Sequence, residues 1–271
     1  MAASRSIFAE AGIYVLVSEL SLVEMANDKL LTHQFLKENG FRTLSTVTSI
    51  EDFLKAKVAG EFTYPVIIKP RWGMGSLSVY TAEDEEELRF YFKKAQKEVL
   101  NSFLKHESGK DPGNEILIME KIIGEEYMLD IINDLEGQYQ VTVVNKKLLR
   151  KGGETEAVET VSHLELEELG QKIAGHFRHL AVLDADVIVN EKGLFILEFN
   201  PRFSGGYPFS HLAGINLPKA LILWLRGEAV SKDQLLTPKV GTKSLKGIVM
   251  IDANISQIKP SKYGHTVSNT I

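Results

Sequence analysis

The sequence predicts an α+β fold, in which strand hairpins and helices alternate without a regular βαβ order. Two apolar runs, 127–132 and 139–144, stand on either side of a short polar turn, as in an antiparallel hairpin. A second pair of apolar runs, 185–190 and 194–199, surrounds a three-residue turn that ends in glycine. Helical segments lie between such pairs rather than after every strand, which favours an α+β arrangement over a parallel series.

The N-terminal part of the chain predicts one strand and two helices. Residues 13–17 (IYVLV) are a short apolar run that is typical of a single buried strand. Apolar residues recur at helical spacing across 27–39, and Gly40 stands where a helix C-cap belongs. The segment 49–57 predicts a further short helix.

The middle of the chain predicts two strands around a turn, followed by an amphipathic helix. The strands are expected at 66–69 and 78–81. A helix is expected over 81–100, because acidic residues crowd its start and lysines its later turns, which complements the helix dipole. A polar loop at 105–114 then leads to a strand at 116–120.

The C-terminal part predicts a loop and two long helices around the second hairpin. The segment 150–156, which contains two glycines, is expected to be a polar loop on the substrate side of any site. Helices are expected over 163–180 and 209–226. Beyond residue 245 the tail is expected to be irregular, with one strand at 247–251.

Composition favours a soluble cytoplasmic protein that acts on small molecules. The 271 residues suit one or two domains, and the absence of cysteine excludes disulfides, thiolate metal sites and a cysteine nucleophile. The net charge of -5 gives no basic footprint for nucleic acid. No apolar run reaches the roughly 20 residues of a membrane helix. We therefore expect neither nucleic acid nor a membrane as a partner.

Oxygen-bearing side chains lie two residues apart on both strands of the second hairpin. Glu198 and Asn200 project to one face of their strand, and so do Asp184 and Asp186 on the preceding strand. Pairing would place one aspartate opposite Glu198, and hard oxygen donors of this kind suit Mg²⁺. The alternative is a solvated polar face on an edge hairpin.

A proline, an arginine and two glycines follow this hairpin. Pro201 ends the strand, and the guanidinium of Arg202 beside a metal site can hold a transferring phosphoryl group in a forked geometry. Gly205 and Gly206 allow the backbone to approach a ligand closely. The alternative is an ordinary turn with a solvent-facing arginine.

A lysine and a glycine-rich loop follow the strand at 66–69. In the stretch KPRWGMGS (69–76), Lys69 would neutralise phosphate charge while backbone N–H groups surround the phosphates. The spacing is neither a Walker motif nor a dinucleotide fingerprint. A bare glycine turn between two strands is the alternative.

Three weaker candidates complete the set. The stretch 119–126 leaves a strand, runs extended and ends acidic, so it could offer main-chain groups to adenine and a carboxylate to ribose; a solvated acidic turn is the alternative. Lys29 is otherwise a surface lysine, and His211 is either a substrate contact or a helix-start histidine. No metal-binding histidine spacing and no hydrolase nucleophile motif occurs.

The order of these motifs along the chain resembles that of the ATP-grasp superfamily. The phrases NDKLLTHQFLKENGF, YPVIIKPRWGMGS and LEFNPRFSGGYP carry the likeness, which covers about residues 10–230. Within the superfamily, the chain resembles most the carbamoyl phosphate synthetase large subunit and its stand-alone carboxylate–amine ligase relatives. The resemblance implies the ATP-grasp fold, with ATP between two α+β subdomains.

The resemblance also implies a role for each motif. The hinge 120–123 would bind adenine, Glu126 the ribose, and the two lysines the phosphates, under the loop 73–76. The implied nucleotide-binding residues are Lys29, Lys69, Gly73, Gly75, Ser76, Glu120, Lys121, Ile122, Ile123, Glu126 and Leu197. The implied ligands of Mg²⁺ (or Mn²⁺) are Asp186, Glu198 and Asn200, and the implied catalytic residues are Arg202 and Lys69.

The implied division of the chain has three parts. Residues 1–24 would be a remnant of the α/β domain that precedes ATP-grasp domains and is otherwise largely missing; 25–245 would be the ATP-grasp domain; and 246–271 a C-terminal tail. Within the ATP-grasp domain, a smaller lid subdomain would span about 45–122, and the larger subdomain about 123–245 plus 25–44.

The implied activity is that of an ATP- and Mg²⁺-dependent ligase core. A carboxylate or bicarbonate would be phosphorylated to an acyl phosphate, which an amine then attacks. The alternative is a non-catalytic ATP-binding subunit or regulatory module that needs a partner chain. A homo-oligomer, or a partner chain that supplies the missing N-terminal domain, is expected in either case.

Overall fold

A computed structural model describes residues 1–73, 75 and 77–247. Met74, Ser76 and residues 248–271 lie outside the described residues, and so does most of the strand expected at 247–251. Within the described part of the chain, no helix combines the length and the apolar character that crossing a membrane requires.

The N-terminal part is helical. A 3-10 turn at Ala2–Ser4 leads to helices α1 (Arg5–Glu10), α2 (Leu20–Asn27) and α3 (Lys29–Glu38). The strand predicted at 13–17 is wrong: these residues form no strand, and Ile13 and Tyr14 are each 52% exposed. A short apolar run predicts burial, but a strand also needs a neighbouring strand to pair with, which this segment lacks among the described residues.

The smaller sheet has four antiparallel strands. Its strands are β1 (Thr46–Val47), β2 (Val66–Pro70), β3 (Tyr80–Ala82) and β4 (Ile116–Glu120), in the order β1-β4-β2-β3. Three helices connect them: α4 (Ile50–Val58), α5 (Glu85–Leu100) and α6 (Lys105–Ser108). The helix predicted over 81–100 is confirmed from residue 85 onward, where Asp84 caps it by accepting a hydrogen bond from the Glu87 backbone N–H. The predicted loop 105–114 contains the single turn of α6.

The larger sheet has six antiparallel strands in the order β10-β7-β6-β5-β8-β9. Its strands are β5 (Glu125–Asn133), β6 (Tyr139–Lys151), β7 (Glu154–Val161), β8 (Val182–Asn190), β9 (Gly193–Asn200) and β10 (Lys243–Leu245). Both predicted hairpins are confirmed. The loop predicted at 150–156 is wrong, because β6 and β7 run through it and only Gly152-Gly153 form the turn. Both glycines have the positive φ that a tight hairpin turn favours. The strand ends beside them are polar, so no apolar run in the sequence indicated that they are strands.

Helices cover both faces of the larger sheet. Helix α7 (Leu164–Phe177) packs against one face, where Leu129, Ile131 and Leu183 point. Helices α8 (Tyr207–Leu212), α9 (Leu217–Leu225) and α10 (Lys232–Leu235) lie on the other face, where Ile132 and Val182 point. The single helix predicted over 209–226 is thus two helices.

The break between α8 and α9 has a local cause. Gly214 adopts a φ of +104°, which ends the first helix. Asn216 then caps the second helix, because its side chain accepts a hydrogen bond from the Lys219 backbone N–H. The helical periodicity continues through this break, so periodicity alone did not reveal it.

Candidate functional site

The hairpin β8–β9 brings the predicted oxygen donors together. Asp186 pairs with Glu198 across the two strands, and Asp184 pairs with Asn200, so all four side chains lie on one face of the sheet. The prediction that one aspartate lies opposite Glu198 is confirmed, and that aspartate is Asp186. A register shift follows directly between Asp186 and Val187. Such an irregularity re-aims a side chain locally, as bulges near sites often do.

Lys147 is a member of this cluster that sequence reasoning missed. It lies on β6 and reaches past β5 to donate a 2.6 Å hydrogen bond to Asp186 Oδ1. Its side chain is only 6% exposed, so the ion pair is shielded from water. Burial raises the pKa of Asp186. The positive charge of Lys147 lowers this pKa, and the negative charge of Glu198 raises it. No local motif marks Lys147, because only the six-strand order places it beside β8.

Two lysines from different parts of the chain face these carboxylates. Lys29 Nζ, at the start of α3, is 2.7 Å from the Gly73 carbonyl oxygen and 4.0 Å from Glu198 Oε2. Burial lowers the pKa of Lys29, against the charges of Glu198 and Asp28. Burial also lowers the pKa of Lys69, on β2, to about 8, and the positive charge of Lys29 adds to this effect. Paired cations and carboxylates of this kind suit phosphates bridged by a metal ion.

The glycine loop is joined to helix α3 by a buried ion pair. Arg71 Nε and Nη2 donate to the Asp28 carboxylate at 2.8 and 2.7 Å, and neither side chain is more than 7% exposed. Asp28 also caps α3 by accepting from the backbone N–H groups of Leu30 and Leu31. The Lys29 backbone N–H donates to the Arg71 carbonyl oxygen at 3.2 Å. The loop and the first turn of α3 therefore hold Lys29 between them.

Arg71 has a second partner in the segment that precedes β4. Its Nη1 donates to Asp111 Oδ2 at 2.5 Å. Burial opposes the charge of Arg71, but the hydrogen bonds to Asp28 and Asp111 prevail and raise its pKa. The guanidinium also lies over the ring of Trp72, 4.4 Å from the ring centroid. The sequence reasoning assigned no role to Asp28, Arg71 or Asp111.

Gly73 shows why this loop carries glycine. It adopts a φ of +119°, and an added Cβ would lie 2.9 Å from Leu104 Cδ1. Its carbonyl oxygen accepts the hydrogen bond from Lys29. Gly75 also adopts a positive φ, while Ser76, the remaining predicted loop residue, lies outside the described residues.

A cavity of about 410 Å³ lies between the two sheets. Most of the predicted nucleotide-binding residues line it: Lys29, Lys69, Gly73, Gly75, Glu120, Lys121, Ile122, Glu126 and Leu197. Ile123 does not line it and is 78% exposed. Arg150, which sequence reasoning did not assign to this cavity, lines it and donates to Glu126 Oε2 at 2.7 Å.

A second cavity, of about 1130 Å³, adjoins the first. Lys29, Asp186 and Glu198 line both cavities, whereas Asn200 and Arg202 line the second only. Arg202 Nη2 donates to Asn200 Oδ1 at 3.2 Å. His211 lines neither cavity, and its Nδ1 lies 2.9 Å from the Ile215 carbonyl oxygen. The oxygen cluster thus lies where the two cavities meet.

A buried polar layer supports Asn200 from below. Its Nδ2 donates to Asp184 Oδ2 at 3.1 Å, while Asp184 Oδ1 is buried without a hydrogen-bond partner. Asp130, opposite Asp184 on β5, accepts a 2.5 Å hydrogen bond from Ser210. Burial raises the pKa of Asp130 to about 6, and burial followed by the charges of Asp186 and Asp130 raises the pKa of Asp184 well above its usual range.

The donor set fits a magnesium ion that shares its ligands with phosphate. Asp186 and Glu198 supply carboxylates, and the Asn200 amide oxygen supplies a third hard donor on the same face. Among the described residues, no three His, Cys, Asp or Glu side chains are grouped to hold a metal ion alone. This agrees with Mg²⁺, which typically takes one or two carboxylates and completes its octahedron with water and substrate phosphate.

Comparison with known proteins identifies the architecture. A family model described as "ATP-grasp in the biosynthetic pathway with Ter operon" matches residues 113–246. The biotin carboxylase of Campylobacter jejuni, solved as a β,γ-ATP complex, superposes with a TM-score of 0.70 at 19% identity over 88% of this chain and 54% of its own. The chain has the ATP-grasp fold. The superfamily resemblance and the α+β prediction are thereby confirmed.

Two other ATP-grasp structures show the same likeness. The L-amino acid ligase of Bacillus licheniformis has a TM-score of 0.65 at 16% identity, over 91% of this chain and 61% of its own. The N5-carboxyaminoimidazole synthetase of Staphylococcus aureus has a TM-score of 0.62 at 16% identity, over 85% of this chain and 59% of its own. The chain therefore spans between half and two thirds of the length of these ATP-grasp proteins.

Proposed function

We propose that this ATP-grasp protein is an ATP- and Mg²⁺-dependent enzyme that phosphorylates a carboxylate for attack by an amine. The observation that carries the proposal is the meeting point of the two cavities. There Lys29 and Lys69, from separate parts of the chain, face Asp186 and Glu198 across a space open to both cavities. Binding of a nucleotide base alone would not require this arrangement of charges.

In this proposal the smaller cavity binds the nucleotide. Main-chain groups of 120–123 contact adenine, and Glu126 contacts the ribose after its ion pair with Arg150 opens. The ammonium groups of Lys29 and Lys69 bind the phosphates, together with the backbone of the glycine loop. Asp186, Glu198 and Asn200 hold Mg²⁺ (or Mn²⁺), which when bound neutralises charge on the phosphate oxygens.

The reaction proceeds in two displacements. A carboxylate oxygen of the acceptor forms a bond to the γ-phosphorus, and the bond from that phosphorus to the β–γ bridging oxygen breaks, so ADP leaves with the electron pair. The amine nitrogen then bonds to the acyl carbon, the carbon–oxygen bond to phosphate breaks, and the amine loses a proton to solvent. Arg202 and Lys69 stabilise the charge of the transferred phosphoryl group.

The acceptor belongs to one of two kinds within this proposal. The motif likeness to the carbamoyl phosphate synthetase large subunit supports bicarbonate, and the likeness to carboxylate–amine ligases supports an organic acid. The biotin carboxylase domain dimer from Hydrogenobacter thermophilus was solved with MgADP and bicarbonate. A homo-oligomer or a partner chain that completes the substrate site, and a cytoplasmic location, which the lack of cysteine fits, are part of the proposal.

The test measures ADP release by the full chain with Mg²⁺, across bicarbonate, amino acids and other carboxylates. Hydroxylamine is present to trap acyl phosphates as hydroxamates. The proposal expects at least one carboxylate to stimulate ADP release and to yield its hydroxamate. ATP binding without any stimulated release would instead support a non-catalytic nucleotide-binding module, and no ATP binding would refute both.

A further inference from the structure

The outer wall of the larger cavity is formed by one face of helix α2. Leu20, Val23, Glu24 and Asn27 line the cavity and follow one another at the i, i+3, i+4, i+7 spacing of a single helix face. The other side of the helix faces the protein core, where Leu22 is buried and Met25 packs against the core residues. Helix α2 therefore carries apolar residues on its cavity side in addition to its core side.

Apolar residues also line the cavity beyond α2. Leu31 of α3 and Trp72 of the glycine loop line the same cavity. Leu20 and Leu31 are each 39% exposed, so much of their apolar surface faces open space rather than protein. Large apolar side chains lining a concave surface are typical of a binding site for a partly apolar ligand.

The charge of Arg202 beside the oxygen cluster complements an anion. Arg202 hydrogen-bonds only to Asn200 and to the Phe203 carbonyl oxygen among the described residues. Every other lysine or arginine of the lining lies within 4.0 Å of a carboxylate: Lys29 of Glu198, Arg71 of Asp28, Lys110 of Glu107, Lys147 of Asp186 and Lys246 of Glu154. Among the described residues, Arg202 is thus the lining cation without an acidic partner, and it lies beside Asn200 of the oxygen cluster.

We propose that the phosphoryl acceptor is an organic carboxylic acid with an apolar body, rather than bicarbonate. The carboxylate lies beside the oxygen cluster, and the apolar body lies against Leu20, Val23, Leu31 and Trp72. Bicarbonate has no apolar group to cover this wall. A volume of about 1130 Å³ exceeds even the roughly 300–1,000 Å³ typical of drug-sized ligands, so it leaves room for such a body. This inference rests on the proposed function.

Trp72 provides a binding signal that is independent of turnover. The chain has only two tryptophans. Trp72 lines both cavities, whereas Trp224 lies in α9 and lines neither. In a Trp224→Phe variant, the fluorescence of Trp72 therefore reports ligands at this site. The full chain with this substitution is titrated with bicarbonate, acetate, butanoate, hexanoate and phenylacetate, with and without MgATP.

Affinity is expected to rise by about fourfold for each added methylene that the wall covers. The hydroxamate yield under hydroxylamine trapping should follow the same order. Leu20→Asn and Leu31→Asn should each remove most of this chain-length dependence while leaving the affinity for MgATP unchanged. Leu225→Asn, a matched change of a 53% exposed leucine on α9, should leave the dependence intact.

Two results would overturn the inference. One is ADP release and hydroxamate formation with bicarbonate or acetate alone, with no binding of the longer acids. The other is an unchanged chain-length dependence in the Leu20→Asn and Leu31→Asn variants. Both leave the proposed function standing, whereas a chain that fails to bind MgATP refutes the proposed function itself.

Discussion

The two cavities that meet at the oxygen cluster share strand residues of the larger sheet but differ in much of the rest of their walls. The smaller cavity, where we propose that the nucleotide binds (the nucleotide cavity), is walled by strands of both sheets, with side chains such as Ile67, Met119 and Leu197. The second cavity is walled by helix α2, by the turn of the β6–β7 hairpin and by the segment 201–206 that follows β9. Strands of both sheets therefore form much of the smaller cavity, whereas a helix face and two connecting segments complete the larger one.

ATP-grasp proteins are expected to vary more around the second cavity than around the nucleotide cavity. Strand positions are constrained by register, since a shift of one residue moves a side chain to the opposite face. Loops and helix faces tolerate change more readily and commonly carry specificity. The nucleotide cavity should therefore retain its chemistry across relatives, and the second cavity should determine which acceptor is used. Four substitutions or conditions test this contrast.

The largest effect is expected where the two cavities share a residue. Glu198→Gln removes a carboxylate from the oxygen cluster and leaves Lys29 without its acidic partner. We expect the rate of ADP formation to fall on the order of 100-fold or more, because charge stabilisation of the transferred group is lost. Steady-state kinetics at saturating ATP measure it.

Glu191→Gln, in the exposed turn of the same hairpin, is the matched control and should retain full activity. A Glu198→Gln variant with normal ADP formation would place the chemistry elsewhere.

A smaller effect, mainly on ATP binding, is expected from the ion pair that positions Lys29. Arg71→Lys keeps the charge but loses the two-pronged contact with Asp28. We expect KM for ATP to rise about tenfold while kcat changes less, because a misplaced Lys29 weakens phosphate binding. KM for the acceptor should rise less than KM for ATP, which separates phosphate binding from acceptor binding.

Arg89→Lys changes an exposed arginine of α5 that also pairs with a carboxylate, and it should leave every kinetic constant unaltered. Equal increases in KM for both substrates would show that Arg71 supports the whole domain rather than the nucleotide side.

Sequence motifs mark the residues of the oxygen cluster and of β2 better than those of the α2 wall, for a physical reason. Lys69, Glu198 and Asn200 stand next to apolar strand runs, so local periodicity and a short motif identify them. Lys147 and the wall residues of α2 reach the site only through the order of six strands and the packing of a helix. No local pattern encodes such distant neighbours.

The two wrong secondary-structure predictions had local causes. The run at 13–17 has strand composition but no strand beside it among the described residues, and the expected loop at 150–156 is a hairpin whose turn is Gly152-Gly153. The predicted fold class is correct despite both errors, because strong periodicity marked the two hairpins of the larger sheet and the helix over 85–100.

A moderate effect of pH should also fall on the nucleotide side. Because the pKa of Lys69 is lowered to about 8, the side chain is charged below that pH and becomes neutral as the pH rises through it. Affinity for ATP should therefore decrease several-fold between pH 7 and pH 9.5, with a proton taken up on binding above pH 8. Calorimetry in two buffers of different ionisation enthalpy measures this proton.

Lys69→Arg keeps its charge across this range and should flatten the pH dependence. A decrease of the same size in the Lys69→Arg variant would assign the titration to another group, such as Lys29, whose pKa burial also lowers.

The smallest effect on activity is expected beneath the second cavity, where stability changes instead. Burial raises the pKa of Asp130 to about 6, so between its unfolded value near 4 and that pH the folded chain binds more protons than the unfolded chain. Stability must then fall as the pH rises through this window, and Asp130 disfavours folding at pH 7. Asp130→Asn keeps an acceptor for Ser210 without the charge.

The Asp130→Asn variant should be more stable than the parent protein at pH 7, by up to a few kcal/mol. The difference should shrink as the pH falls from 6 towards 4, and below about pH 4 the carboxyl of Asp130 is protonated in both the folded and the unfolded state. Urea unfolding at several pH values measures it, with Asp233→Asn, a change of an exposed residue of α10, as the control. A pH-independent gain in stability would mean that the hydrogen bond to Ser210, rather than the buried charge, limits the stability of this layer.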